Sequence, residues 1–113
     1  MHVDGVEQVT PREAEGLLRS DRALLLDVRD DDEWEAARIQ GALHIPVRQL
    51  KARHTEVPRD RTVVCQCAVG SRSQWAATFL MAQGHPDVRN LIHGLSGWAQ
   101  AGLPVETDPP VGP

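Results

Sequence analysis

Two apolar runs, Ala23-Leu24-Leu25-Leu26-Asp27-Val28 and Arg61-Thr62-Val63-Val64-Cys65-Gln66-Cys67, constrain this chain more than any other feature of its sequence. Neither alternates apolar with polar residues as a half-exposed strand would. Runs of this kind belong to strands covered on both faces, the usual situation in a parallel sheet. The segments around them read mostly as helices. A helix signal opens over Gln8 to Leu18: Thr10 is an N-cap, Pro11 takes the first helical position and Glu13 completes a capping box. Asp30 to Ala37 predicts a short helix with acidic residues at its start, where the dipole favours them. Ala42 to Ile45 is a short strand stopped by Pro46, and Val47 to Arg53 a weak helix. Ser73 to Gln83 predicts a helix ended by Gly84, Val88 to Ile92 a strand, and Leu95 to Ala101 a last helix ended by Gly102 and Pro104. Strands that alternate with helices argue an α/β fold, a parallel sheet with helices on both faces.

The 113 residues leave room for one domain, expected over 1–106. Residues 1–5 are short and polar, and the proline-rich stretch 107–113 predicts a disordered or extended tail. Twelve basic against sixteen acidic side chains give a net charge of −4, and the basic residues are scattered, so nucleic acid is not an expected partner. No run approaches the roughly 20 apolar residues of a membrane span. The N-terminus lacks the apolar core of a signal peptide, and a cytoplasmic location is expected. The two cysteines, Cys65 and Cys67, stand one residue apart, where a disulfide would close almost no loop. His2, His44, His54, His85 and His93 are dispersed, without the spacing of a zinc site, so neither metal nor cofactor is expected.

What remains is a thiol. In parallel α/β folds ligands bind beyond the carboxyl ends of the strands, and Cys67 is expected there. The segment from Ala68 to Arg72 then leads straight into a helix, so its backbone N–H groups can turn inward as an anion cradle beside the helix N-terminus. Gly70 permits a backbone angle or close approach that a side chain would hinder, and Arg72 adds a permanent charge with a fork of donors. The same field favours the thiolate of Cys67, the nucleophilic form. Cys65 reads as a small core hydrophobe, and Trp34, Trp75 and Trp98 as core or cover residues.

These residues carry a resemblance. Cys67-Ala68-Val69-Gly70-Ser71-Arg72-Ser73 resembles the active-site loop of single-domain rhodaneses. Leu25-Leu26-Asp27-Val28-Arg29 with Glu33-Trp34 resembles the family's first signature, and Ile39-Gln40-Gly41-Ala42-Leu43-His44-Ile45-Pro46 the stretch that follows it. Asn90-Leu91-Ile92-His93-Gly94-Leu95-Ser96-Gly97-Trp98 with Gly102-Leu103-Pro104 resembles the closing motif. Together they span residues 5–106 in the family's order. The resemblance implies a three-layer sandwich with a five-stranded parallel sheet. It also implies a sulfurtransferase: Cys67 takes the outer sulfur of thiosulfate or a persulfide donor, and a thiol or cyanide acceptor removes it. By the same resemblance, the N–H groups of Ala68, Val69, Gly70, Ser71 and Arg72 hold the persulfide and Arg72 binds the anionic donor.

Rival readings differ at identifiable positions. Four residues separate Cys67 from Arg72, a loop one residue shorter than in the related phosphatases, which favours sulfur transfer over a phosphatase or arsenate reductase. A carrier or protein-binding module with little turnover of free thiosulfate is the main alternative. Ala68 stands where many thiosulfate-using members have a basic residue, which removes one charge from the cradle. Arg72 disfavours the mercaptopyruvate branch, which is uncharged there. Ala37-Arg38 replaces a common Gly-His pair as a surface change. His93 replaces the first of two usual glycines beside the pocket and is a candidate for proton transfer, with a packed or solvated side chain the alternative. Asp27 and Arg29 end their strand on the loop's side of the sheet. They are expected to support the loop and its field, or else to form an ion pair or helix-cap contact.

Overall fold

The computed structural model describes residues 1–107, and the rest of the expected tail lies outside the described residues. In chain order the elements are β1 (His2–Val3), β2 (Val6–Val9), α1 (Pro11–Arg19), β3 (Ala23–Asp27), α2 (Asp31–Ala36), β4 (Ala37–Arg38), β5 (Leu43–His44), α3 (Leu50–Arg53), β6 (Thr62–Gln66), α4 (Ser71–Ala82), β7 (Val88–Leu91), α5 (Gly94–Gln100) and β8 (Glu106–Thr107). Short 3₁₀ turns flank α3. The main sheet runs β1-β2-β7-β6-β3-β5. Every neighbouring pair from β2 to β5 is parallel, and only the edge strand β1 is antiparallel.

The five expected parallel strands are therefore present, with a sixth, antiparallel strand at the edge and a separate two-stranded ribbon of β4 and β8. Sequence reasoning took residues 1–5 as loose and started the helix at Gln8. The structure instead turns Val6–Val9 into a sheet strand paired with β7, its Val6 and Val9 buried. The capping box does form, with both Thr10–Glu13 hydrogen bonds, but it opens a helix that begins at Pro11. Thr107, assigned by sequence to the tail, pairs with Ala37.

Helices cover both faces. On one face Ala76, Ala77 and Leu80 of α4 and Leu50 of α3 pack against Leu26, Val63, Cys65 and Cys67. On the other, Ala14 of α1 and Trp98 of α5 pack against Leu25, Val64 and Leu91. Covering both faces is what removes polar alternation from β3 and β6. It also puts Cys65 and Cys67 on the α4 face, because residues two apart on a strand share a side.

Candidate active site

Strand β6 ends at Gln66, so Cys67 emerges at the carboxyl end of the sheet, and α4 begins at Ser71 after a single tight turn. Gly70 makes that turn at φ +109°, a left-handed angle that favours glycine. Two helices fix the loop between them. The first N–H groups of α5 reach back: Leu95 N donates to Cys67 O at 2.8 Å and Ser96 N to Ala68 O at 3.1 Å. With those carbonyls engaged, other amides turn toward the sulfur. Gly70 N donates to Cys67 Sγ at 3.1 Å and Ser73 N at 3.4 Å, and Ser73 Oγ lies 3.3 Å away. Anion stabilisation at a helix N-terminus is built from these backbone groups.

Cys67 is fully buried, and burial by itself would raise its pKa. Hydrogen bonds from the Ser73 hydroxyl and from the Ser73, Gly70 and Val69 amides outweigh that and hold it below the ordinary thiol value. Cys65, buried in the same core without such donors, is pushed strongly up. The surroundings of Cys67 favour its thiolate and those of Cys65 disfavour it.

Behind the loop a line of amides sets where the Ser73 hydroxyl points. Gln74 Nε2 donates to Val3 O at 2.8 Å, and Gln74 Oε1 accepts from Gln8 Nε2 at 2.8 Å. Gln8 Oε1 accepts from Asn90 Nδ2 at 3.0 Å, and Asn90 Nδ2 also donates to Gly70 O at 3.2 Å. Asn90 Oδ1 therefore faces Ser73 Oγ, only 2.6 Å away. Ser73 has one proton for two acceptors, the Asn90 oxygen and the Cys67 sulfur.

Arg72, the expected anion binder, is already engaged. Its guanidinium forms a bidentate pair with Glu33 of α2 at 2.7 and 2.9 Å. That hydrogen-bonded cation holds the Glu33 carboxyl at about 2.

The model of the Rhodanese-like domain family matches residues 10–101, which contain this whole loop. The chain belongs to the rhodanese family. Among curated proteins it is similar to "Thiosulfate sulfurtransferase GlpE" of Actinobacillus succinogenes, 36% identical over 88% of this chain and 90% of that protein. A "Sulfurtransferase" of Allochromatium vinosum is 39% identical over 79% of this chain and 83% of that protein. Among solved structures, a rhodanese-related protein from Thermoplasma volcanium superposes with a TM-score of 0.82 at 25% identity, covering 88% of this chain and 97% of that one. This rhodanese is a sulfurtransferase by type.

The other expected site residues fall in two groups in the rhodanese. Ala68, Val69, Gly70, Ser71 and Arg72 do form the turn around Cys67. Asp27 and Arg29 make no hydrogen bond or ion pair to it among the described residues. They form a buried pair of their own: Arg29 Nη2 lies 2.8 Å from Asp27 Oδ2, and Arg29 donates to Glu33 O and to Ala37 O, which caps the end of α2. His93 adopts φ +63°, the left-handed angle where a glycine is usual, and its exposed side chain hydrogen-bonds to nothing among the described residues. Its backbone N, rather than its ring, approaches the loop, 3.4 Å from where a Cβ on Gly70 would sit. Trp34 stacks on His44 and Trp98 is buried, but Trp75 is 45% exposed.

Sequence reasoning did not assign roles to Ser73, Asn90, Gln8 or Glu33. Ser73 had a usable signal, since a hydroxyl in the first turn after a glycine N-cap lies beside whatever that turn cradles. No helix among the described residues is long and apolar enough to cross a membrane.

Proposed function

We propose that this rhodanese moves sulfane sulfur through a persulfide on Cys67, from thiosulfate or a persulfide donor to a thiol or cyanide acceptor. The Cys67 thiolate attacks the donor's outer sulfur. A Cys67 Sγ–S bond forms, the donor's S–S bond breaks, and the leaving group (sulfite, when thiosulfate is the donor) departs with the electron pair. An acceptor thiolate then attacks the terminal sulfur and releases Cys67 as thiolate. The loop amides of residues 68–72, together with the Ser73 amide and hydroxyl, receive the negative charge at each stage. Carrying the reading is the single sulfur ringed by the Gly70 and Ser73 donors at 3.1–3.4 Å. A cytoplasmic setting fits it, because both thiols stay reduced there.

Intact-mass measurement after incubation with thiosulfate tests it: the protein gains one sulfur, about 32 Da, and Cys67→Ser gains none. Absence of an adduct with every sulfane donor tried would overturn the reading. The carrier-like variant keeps support from one observation. Ala68 supplies no charge and Glu33 occupies Arg72, so a compact dianion finds little free positive charge at the loop.

A further inference from the structure

The arginine of the loop meets an anion before any substrate arrives. Arg72 Nη1 and Nη2 donate to Glu33 Oε1 and Oε2 at 2.7 and 2.9 Å, the forked geometry in which a guanidinium also takes an oxyanion. Glu33 is held for that contact from two other sides. Its Oε1 accepts from Asp30 N at 3.0 Å, and its carbonyl accepts from Arg29 Nη1 at 3.2 Å, an arginine itself fixed on Asp27. Strand β3 and the start of α2 therefore position this carboxylate, and not Arg72 alone.

The rest of α2 adds to the same field. Residues 30 to 33 are four consecutive carboxylates, and Asp30 and Asp31 face Arg48 at 2.9 and 3.9 Å. Arg48 and Arg72 line one cleft with Ser71, so both arginines of that cleft are matched by acids from a single helix. The Arg72 cation also feels the charge of Cys67, which puts the Glu33 pair within electrostatic reach of the reacting sulfur. Arg72 and Glu33 keep 32% and 31% of their side chains exposed, so water can receive the carboxylate when another anion displaces it.

We propose that Glu33 is the specificity-determining residue of the Cys67 site: it occupies Arg72 as an internal oxyanion, and compact dianions reach the sulfur only by displacing it. The discrimination acts on both half-reactions. Loading by thiosulfate and its reversal, attack of sulfite on the loaded cysteine, share one transition state with an oxyanion beside Arg72. In the reversal, the persulfide anion and sulfite give the Cys67 thiolate and thiosulfate. The lone pair of sulfite forms the new S–S bond, the Cys67 Sγ–S bond breaks and its electrons stay on Cys67; no proton moves. An acceptor thiol without an acidic group puts no oxyanion on Arg72 and does not meet this barrier. Glu33 thus slows loading by thiosulfate and guards a loaded persulfide against sulfite, leaving it to thiols. This inference rests on the sulfurtransferase reading and deepens it.

The test measures three second-order rates on the full-length protein, at low and at physiological ionic strength: loading by thiosulfate, unloading by sulfite and unloading by mercaptoethanol, each followed by intact mass. Glutamine keeps the acceptor that the capping box of α2 needs, so Glu33→Gln removes the charge and spares the helix. In Glu33→Gln the thiosulfate and sulfite rates rise together, about tenfold, and become more sensitive to salt, while the mercaptoethanol rate stays in place. Adding Arg72→Met removes the gain. Glu56→Gln takes the same charge from the exposed Arg53–Glu56 pair and leaves all three rates where they were. Should the glutamine variant fold poorly, Glu33→Asp, one methylene short of the forked pair, gives a smaller rise in the same two rates. An unchanged thiosulfate rate, or a mercaptoethanol rate that rises as much, overturns the proposal. Failure of thiosulfate and of every persulfide donor to add mass to Cys67, in wild type and variant alike, instead overturns the sulfurtransferase reading beneath it. Equilibrium binding keeps the two failures apart: thiosulfate binds the unreactive Cys67→Ser protein about tenfold more tightly once Glu33→Gln is added, whether or not transfer occurs.

Discussion

Ser73 holds the most informative hydrogen atom in the molecule. Its hydroxyl lies 2.6 Å from Asn90 Oδ1 and 3.3 Å from Cys67 Sγ, and Asn90 cannot turn its amide without giving up Gln8 and Gly70 as acceptors. In the thiol form the proton belongs to Asn90. In the thiolate form it is drawn toward sulfur, at the expense of Asn90. A hydrogen bond to a charged group contributes about 1.5–3 kcal/mol, and the contest with Asn90 puts this one at the low end. At about 1.4 kcal/mol per tenfold, Ser73→Ala should lower the thiolate population about tenfold at any pH below the titration. Asn90→Leu should do the opposite. It releases the hydroxyl to the sulfur and raises the thiolate population several-fold, while costing about 1–3 kcal/mol of stability because Gln8 Oε1 and Gly70 O lose their donor.

The assay is the rate of Cys67 alkylation by iodoacetamide against pH, with thiolate ultraviolet absorbance as the equilibrium check. Cys65 stays silent because burial pushes its thiol strongly up. Both variants should reach the wild-type plateau at high pH, since only the proton equilibrium has changed. Two variants moving the curve in the same direction, or Ser73→Ala leaving it in place, would refute the argument that one proton is shared.

Three further outcomes follow from other contacts. Arg72 holds Glu33 at about 2 instead of the ordinary 4.5, so the stabilisation from that pair is complete above about pH 4.5 and fades as the pH falls toward 2. Acid unfolding of wild type and Glu33→Gln should therefore differ near neutrality and converge at the bottom of that window, and a gap that persists there would deny the pair its role. A Cβ on Gly94 would sit 2.2 Å from Cys67 O and 2.8 Å from Ala68 C, at φ +54°. Left-handed strain of about 1 kcal/mol with overpacking of about 1–3 kcal/mol predicts that Gly94→Ala melts roughly 10–15 °C lower; Gly16→Ala, with nothing within 4 Å of its Cβ, should melt no lower than wild type, and equal curves for the pair would contradict the close approach. Arg29→Met leaves the Asp27 carboxylate buried without its cation, a loss of about 3–5 kcal/mol by denaturant titration, while the alkylation profile of the folded fraction stays as in wild type. A profile shifted with that variant would show that the pair does act on the loop.

The elements that sequence reasoning located are those whose signals are local. Thr10, Pro11 and Glu13 lie within one helical turn, and their capping box forms as read. The apolar runs of β3 and β6, the glycine turn at Gly70 and the step from strand to loop to helix are likewise written over a few neighbouring residues. Strand β2 escaped because its four residues carry little pattern and run directly into the helix signal of α1, while its pairing partner β7 lies far along the chain. The free positive charge expected from Arg72 was absent for a similar reason: its partner Glu33 is 39 residues earlier.

By itself, the sequence determined that the chain builds a two-sided parallel sheet and delivers Cys67 on a short glycine turn to the carboxyl end of a buried strand. Periodicity, capping and turn chemistry act between neighbours, so a reader of the sequence has all their terms. Only the tertiary structure decided the electrostatics around that sulfur. It gave Arg72 to Glu33, set Asn90 against Cys67 for one hydroxyl proton, and tied Asp27 and Arg29 to each other. Each of those outcomes is a competition between groups far apart in the chain, and folding alone determines which of them come within reach.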